Sequence, residues 1–213
     1  MGTPSFAVPI LKALHKKKYL ISATYTQPPQ KSQRGQRYNK SPIHVISEEL
    51  NIECRTPKIL KGNNEEFNFF KKLDVDIVIV VAYGQIIPND FLDLSKKGFI
   101  NIHASLLPKW RGAAPIQRSI MNLEKETGIS IMKIGEKLDT GPVCNSYKID
   151  IKENDNAETI STKLSILASE KISENIDGIL DDTVRFKEQD HKNATYASKI
   201  KKAEGEINWN DEA

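Results

Sequence analysis

An asparagine, a histidine and an aspartate carry the most distinctive chemistry in this sequence of 213 residues. Asn101 and His103 are two residues apart at the end of a short apolar run, so on a β-strand both side chains point to the same face. Asp139 follows in a Leu-Asp-Thr-Gly segment. Together they suit addition–elimination at a carbonyl: the amide binds the oxygen, the imidazole stabilises the oxyanion, and the carboxylate orients the imidazole or accepts a proton. On spacing alone, a structural role for the histidine stays open.

Several other kinds of site have no motif in the sequence. There is no nucleophile elbow, phosphate-binding P-loop or dinucleotide fingerprint. One histidine with scattered acids lacks the spacing of metal ligands, so we expect no metal. Two cysteines, Cys54 and Cys144, cannot form a disulfide framework. No apolar run approaches the roughly 18 residues of a membrane span, and no secretory signal follows Met1. We therefore expect a reduced, cytoplasmic protein that makes no contact with a membrane.

Alternating strands and helices must position these residues. The clearest strand is Val75–Ala82, a continuous β-branched run of the kind found in parallel strands buried on both faces. The alternation predicts an α/β domain with a largely parallel sheet. Ligands in such sheets bind at the carboxyl ends of strands, where Asn101 and His103 would lie. Predicted strands cover residues 20–26, 75–82, 99–103 and 128–134, and predicted helices cover 42–50, 65–72, 115–122 and 157–180.

Positive charge is concentrated at one end of the chain. The whole sequence has 31 Lys and Arg against 28 Asp and Glu, a net charge of +3. Residues 1–47 contain eight Lys and Arg and no acid, which leaves 23 basic against 28 acidic residues, or −5, in the remainder. Four of these eight positive charges lie in residues 27–41, which we predict to be a long loop without regular structure. Such charge suits an anionic partner, although it is also compatible with a solvated surface.

Longer segments around these residues match a known family. Residues 101–120 are NIHASLLPKWRGAAPIQRSI and residues 126–143 are ETGISIMKIGEKLDTGPV. The first segment, above all its Trp-Arg-Gly-Ala-Ala-Pro-Ile-Gln run, closely resembles the folate-dependent formyltransferase family. The runs MGTPSFA at 1–7, VVAYG at 80–84 and TYASKI at 195–200 extend the resemblance over the whole chain. They fit best the subfamily that formylates methionyl-tRNA.

The resemblance implies a reaction, a cosubstrate and a fold. The formyl group of 10-formyltetrahydrofolate would pass to the α-amino group of methionyl initiator tRNA, giving N-formylmethionyl-tRNA for translation initiation. Asn101 and His103 would face the oxyanion, and Asp139 would keep His103 positioned and charged and assist proton transfer. The fold would be Rossmann-like, with a mostly parallel central sheet flanked by helices. The residues implied to contact the folate are Ser105, Leu106, Leu107, Pro108, Ala82, Tyr83, Gly84 and Gly141. Those implied to meet tRNA phosphates are Lys31, Arg34, Arg37 and Lys40.

The resemblance also implies a domain plan and leaves alternatives. We expect a monomeric catalytic domain over residues 1–188, with the basic loop 27–41 inside it. Residues 189–213 would be a linker towards a C-terminal β-barrel that this chain lacks, and the family's first strand, before the Met-Gly-Thr-Pro turn, would also be missing. One alternative is a formyltransferase for another amine, such as an amino sugar nucleotide or glycinamide ribonucleotide. Another is an inactive, truncated tRNA-binding fragment.

Overall fold

The structure, a computed structural model, describes residues 1–32, 37–206 and 209, without the side chains of residues 31, 32 and 37. Its strands are β1 (Thr24–Tyr25), β2 (Gln30–Ser32), β3 (Arg37–Asn39), β4 (Cys54–Arg55), β5 (Val78–Val80), β6 (Phe99–His103), β7 (Arg111–Gly112), β8 (Glu126–Lys133), β9 (Val143–Asp150) and β10 (Tyr196–Ala197). Its α-helices are α1 (Val8–Lys16), α2 (Pro42–Glu49), α3 (Asn64–Lys72), α4 (Asn89–Leu92), α5 (Pro115–Met121) and α6 (Ala157–Leu180). Single 3₁₀ turns cover Ser5–Ala7, His191–Asn193 and Lys202–Gly205.

The main sheet has the strand order β5-β6-β8-β9. Strands β5 and β6 are parallel, as are β1 and β4 in the neighbouring pair, whereas β8 and β9 join antiparallel at the far edge. The first two residues connect the pair to the main sheet. Gly2 lies parallel to Val81, and its N–H donates to the carbonyl of Tyr25 over 2.9 Å. The predicted α/β fold class is confirmed.

The two faces of β6 enter different parts of the core. Ile100 and Ile102 belong to the larger hydrophobic cluster, which also contains the apolar face of α6. Phe99 belongs to a second cluster with residues of α3 and α4. Because side chains alternate along a strand, Asn101 and His103 continue the Phe99 face. They therefore lie on the α3 and α4 side of the sheet, at the carboxyl end of β6.

Local sequence explains where the well-predicted helices begin. The side-chain oxygen of Asn156 accepts the N–H groups of Glu158 and Thr159 over 2.9 and 3.0 Å, and the hydroxyl of Thr159 accepts the N–H of Asn156. This reciprocal cap starts α6, whose observed bounds are those predicted. Ser41 caps α2 by accepting the N–H of His44 over 3.1 Å.

The basic segment 27–41 is not the structureless loop that the sequence predicts. Strands β2 and β3 form an antiparallel hairpin in it, with Gln30 opposite Asn39. The hydroxyls of Thr26 and Ser41 lie 2.6 Å apart and close its base. The prediction was wrong because polar strands this short carry no hydrophobic periodicity, while their backbone groups can still pair.

Other parts of the fold have weak sequence signals. Strand β9 is a sheet edge whose side chains alternate between half-buried and exposed, and the sequence analysis does not predict it. The polar segment after Phe186 packs on the domain: Lys187 bridges to Val143, and β10 pairs in parallel with β7. The boundary at residue 188 stays a prediction. Within the described residues, no helix combines the length and apolar character needed to cross a membrane.

Candidate active site

The three predicted catalytic side chains meet at the carboxyl end of β6. The amide nitrogen of Asn101 donates to Oδ1 of Asp139 over 3.4 Å. Oδ2 of Asp139 lies 3.7 Å from Nδ1 of His103, and the two side chains are only 10% and 7% exposed. An amide donor, an imidazole and a carboxylate therefore share one small site that is largely closed to water.

His103 has an acceptor at each ring nitrogen. Its Nε2 lies 2.8 Å from the carbonyl oxygen of Trp110, on the side of the ring opposite Asp139. A neutral imidazole has one N–H, so only the doubly protonated ring donates on both sides. Trp110 presents this carbonyl from a left-handed backbone conformation, with φ of 60°, and its own N–H donates to the hydroxyl of Thr195 over 2.9 Å. The ring orientation is thus fixed by backbone that the sequence did not single out.

Asp139 is held by a backbone N–H as well as by side chains. The N–H of Gly112 donates to Oδ2 of Asp139 over 2.8 Å. Gly112 has φ of 115°, and a Cβ there would lie 2.8 Å from the carbonyl oxygen of Ala197 on β10. Only glycine combines this conformation with this close approach. The pairing of β7 with β10 therefore places the donor that orients the carboxylate.

The loop that carries Asp139 closes tightly against the end of β8. Asp139 has φ of 51°, a left-handed conformation. Two residues later, a Cβ on Gly141 would lie 2.0 Å from the carbonyl oxygen of Lys133. Gly141 is buried, so the structure gives it a packing role. Contact between Gly141 and folate stays a prediction.

The predicted folate segment 105–108 is fixed to β8. Ser105 is fully buried and its hydroxyl donates to the carbonyl of Lys109 over 2.6 Å. The hydroxyl of Ser130 donates to the carbonyl of Ser105 and accepts the N–H of Leu107. Leu106 and Pro108 line a cavity of about 690 Å³ together with Trp110. The apolar residues of the segment, and not its serine side chain, are accessible.

The predicted pterin loop 82–84 offers backbone rather than side chains. Ala82 and Gly84 have φ of 46° and 81°, while the Tyr83 ring is only 2% exposed and packs in the second core cluster. Burial raises the pKa of the Tyr83 hydroxyl. The carbonyl of Tyr83 accepts the Thr3 hydroxyl over 2.7 Å, and that of Gly84 accepts the Gln27 amide over 2.8 Å. These contacts join the loop to the root of the β2–β3 hairpin.

Two exposed apolar side chains lie on the loops that would border a folate. Ile86 follows the 82–84 loop and is 89% exposed, and Leu138 precedes Asp139 and is 71% exposed. Exposed apolar groups beside a polar catalytic cluster fit a ligand with an aromatic ring. Sequence reasoning missed both, because a single apolar residue in a loop carries no periodic signal.

The predicted tRNA-binding cations are only partly described. Lys31 and Arg37 lie on β2 and β3, and their side chains are outside the description; Arg34 lies outside the described residues. The Lys40 amino group contacts both carboxylate oxygens of Glu48, at 2.6 and 2.7 Å. This hydrogen bonding holds the pKa of the Glu48 carboxyl below its usual value.

Not all of the basic charge near the N-terminus faces the site. Helix α1 packs against α6 and ends at Lys16, and Lys17 and Lys18 follow directly. The Lys17 amino group donates to the carbonyl of Ser173 on α6 over 2.5 Å. Among the residues that the structure describes, no group of three or more His, Cys, Asp or Glu side chains could hold a metal ion.

Comparisons with known proteins give the chain its family. A family model described as formyl transferase matches residues 1–176. A curated methionyl-tRNA formyltransferase from Pelagibacter ubique is 74% identical over 213 residues, which make up 100% of this chain and 69% of that protein. This chain belongs to the formyl transferase family. A methionyl-tRNA formyltransferase from Brucella ovis is 43% identical over 214 residues, with 100% of this chain and 70% of that protein covered. The chain therefore groups with the methionyl-tRNA formyltransferases and is an enzyme that transfers a formyl group.

Solved formyltransferases share the fold at low sequence identity. An N-formyltransferase from Helicobacter canadensis, in complex with folinic acid and dTDP-3-aminofucose, superposes with a TM-score of 0.70 at 22% identity, covering 92% of this chain and 68% of that one. A phosphoribosylglycinamide formyltransferase from Anaplasma phagocytophilum superposes with a TM-score of 0.69 at 20% identity. The superposition covers 86% of this chain and 85% of that one. The Rossmann-like formyltransferase fold is therefore confirmed for this family member.

Proposed function

We propose that the protein transfers the formyl group of 10-formyltetrahydrofolate to the α-amino group of methionine on initiator tRNA. The observation that carries this proposal is the contact of Asp139 with both Asn101 and His103, at 3.4 and 3.7 Å. It occurs in a chain 74% identical to a methionyl-tRNA formyltransferase. The Helicobacter canadensis neighbour was solved with folinic acid, which supports a folate as the formyl donor.

The residues fit an addition–elimination at the formyl carbon. The methionine amine attacks that carbon, a C–N bond forms, and the carbonyl oxygen becomes an oxyanion. The Asn101 amide donates to this oxygen, and a protonated His103 stabilises its charge. Asp139 balances the charge of the imidazolium and moves a proton from the attacking nitrogen towards N10 of the folate. The bond between the formyl carbon and N10 then breaks, which leaves tetrahydrofolate and formylated methionyl-tRNA.

We place the folate between the 82–84 loop and the loop that carries Asp139. Backbone groups around Ala82 and Gly84 would receive the pterin, and Ile86 and Leu138 would cover the neighbouring ring. This placement needs backbone donors, acceptors and apolar cover, and those are the groups the two loops expose. Leu106, Leu107 and Pro108 would form the adjoining wall, with Ser105, Tyr83 and Gly141 supporting it from beneath.

We assign tRNA binding to the β2–β3 hairpin. Lys31, Arg37 and Lys40 lie on it or beside it, and Arg34 lies between its two strands in the sequence. These four residues would neutralise phosphates of the acceptor arm. The double substitution Arg34→Gln with Arg37→Gln removes two positive charges. It should raise the KM for tRNA at least tenfold at low salt and leave folate binding intact. The effect should be smaller at high salt, because the variant releases fewer counterions on binding than the parent does. Lys17→Gln with Lys18→Gln, at the far end of α1, is the matched control. Equal loss of tRNA and folate binding would reject this assignment.

An acceptor comparison tests the proposed function as a whole. The purified protein is given 10-formyltetrahydrofolate with methionyl initiator tRNA, an amino sugar nucleotide or glycinamide ribonucleotide. We expect formylation of the tRNA alone. Turnover of a small amine without turnover of the tRNA would overturn the choice of substrate, and His103→Asn should abolish turnover in either case. We propose that the catalytic unit comprises residues 1–188 and also the segment that follows, because Gln189 and Thr195 contact residues of the site.

A further inference from the structure

A buried arginine next to the site has no carboxylate partner in the described part of the chain. Arg111 is 2% exposed, yet its guanidinium bonds only to neutral groups there. Its Nε and Nη2 donate to Oε1 of Gln189 over 3.1 and 2.7 Å, and Nη2 also lies 2.9 Å from Nδ1 of His191. Because a guanidinium has donors only, Nδ1 of His191 is an unprotonated acceptor. Burying a charge costs free energy, so a buried cation that bonds only to neutral groups indicates a specific structural role.

Gln189 connects this cation to the loop of Asp139. Its Nε2 donates to the carbonyl of Asp139 over 3.0 Å and to that of Gly141 over 2.7 Å. All four hydrogen-bonding positions of the amide are therefore used, two as acceptor and two as donor. The reversed amide would point its oxygen at two carbonyls and its NH₂ at the guanidinium. Arg111 thus fixes which way Gln189 faces, and Gln189 is only 8% exposed.

Strand β7 then holds Asp139 at two places. The N–H of Gly112 contacts the carboxylate directly, and the preceding Arg111 holds the backbone carbonyl through Gln189. The backbone of Asp139 has a left-handed φ of 51°, which residues other than glycine adopt infrequently and aspartate and asparagine more readily than most, and the hydrogen bonds from Gln189 help to hold it. We propose that Gln189, oriented by buried Arg111, is a positioning residue that sets the Asp139 carboxylate against His103. This inference rests on the proposed role of Asp139 in formyl transfer.

Two substitutions separate the positioning role from general packing. Gln189→Glu keeps an acceptor for Arg111 and adds an ion pair, but it cannot donate to the two carbonyls. Gln189→Leu keeps the volume and loses both sets of bonds. A displacement of about 1 Å in a catalytic group can cost about 10²-fold in rate. We expect Gln189→Glu to lower kcat about 10²-fold with less than threefold change in either KM. Its loss of thermal stability should be smaller than that of Gln189→Leu, because the ion pair with Arg111 offsets part of the repulsion between the new carboxylate and the two carbonyls. Gln189→Leu should lose stability as well.

The matched control is Asn193→Ala, which removes an amide from the same segment that donates to Asp190 over 2.8 Å. It should leave kcat unchanged. A second measurement does not depend on any acceptor: the ¹⁵N shifts of the His103 ring, which report its hydrogen bonding, should move in Gln189→Glu and not in Asn193→Ala. Unmoved shifts, or a kcat for Gln189→Glu within threefold of the parent, would overturn the positioning role. Failure of the parent to formylate methionyl-tRNA would instead count against the proposed function.

Discussion

Removing the charge of Asp139 while keeping its shape is the most direct test of the catalytic cluster. Asp139→Asn preserves the side-chain size, and asparagine tolerates a left-handed backbone well, so the φ of 51° is retained. The amide oxygen can still accept the N–H of Gly112. The substitution therefore removes the negative charge that faces His103, and it also replaces the oxygen that accepts the Asn101 amide over 3.4 Å by an NH₂ group.

The size of the effect follows from the geometry. Oδ2 of Asp139 and Nδ1 of His103 are 3.7 Å apart in a site that is about nine-tenths shielded from solvent. A pair of unit charges at about 4 Å interacts by about 4 kcal/mol at an effective dielectric constant of about 20. Each 1.36 kcal/mol is about tenfold in rate, so full loss of this support costs about 10³-fold in kcat. That lies inside the range of about 10²–10⁴ for a general acid–base group.

Single-turnover formyl transfer at saturating folate and tRNA measures this loss without interference from product release. Asp150→Asn is the control, because Asp150 is an exposed aspartate at the end of β9, away from the site. We expect the folate dissociation constant of Asp139→Asn to stay within threefold of the parent. A transfer rate within threefold of the parent would show that the carboxylate charge does not support His103, and the mechanism above would be refuted.

Three further predictions concern the loop, the core and the thiols. Gly141→Ala places a Cβ 2.0 Å from the Lys133 carbonyl and should lower kcat at least tenfold, whereas Gly135→Ala, with no atom within 4 Å, should be neutral in the same assay. Leu164→Ala, at a fully buried position of α6, should lower the free energy of unfolding, measured in urea, by about 3 kcal/mol. The control Ile166→Ala, at a half-exposed position of the same helix, should lower it by less than about 1 kcal/mol. Burial raises the pKa of Cys144 to about 11, so at pH 8 about one thiol in a thousand is ionised. We therefore expect Cys144 to react with a disulfide reagent far more slowly in the folded protein than in protein unfolded by guanidinium. Equal reaction rates in the two states would contradict this expectation.

Sequence reasoning succeeded where one physical pattern dominates a segment. The apolar stripe of α6 predicted both of its ends, and the continuous β-branched run located β5. It failed for β9 and for the β2–β3 hairpin, which are held by backbone pairing and have little apolar surface. In the site, Asn101 and His103 were predicted to share a face because they share a strand. Asp139 was grouped with them on the chemistry of its side chain and on the family resemblance, since no local pattern relates residues so far apart in the chain.

The most specific run in the sequence, Trp-Arg-Gly at 110–112, acts in the structure through three different kinds of group. Trp110 contributes its carbonyl to the His103 ring, Arg111 its side chain to Gln189, and Gly112 its N–H to the Asp139 carboxylate. The sequence analysis singled out this run only as the most specific part of the family resemblance, and two of its three contacts come from the backbone. Backbone donors leave no mark in a sequence except through the conformations they need. Gly112 is required because a Cβ at this position would contact the backbone of the neighbouring strand β10. Arg111 is required because its buried guanidinium donates two hydrogen bonds to one oxygen of Gln189 and so fixes the orientation of that amide.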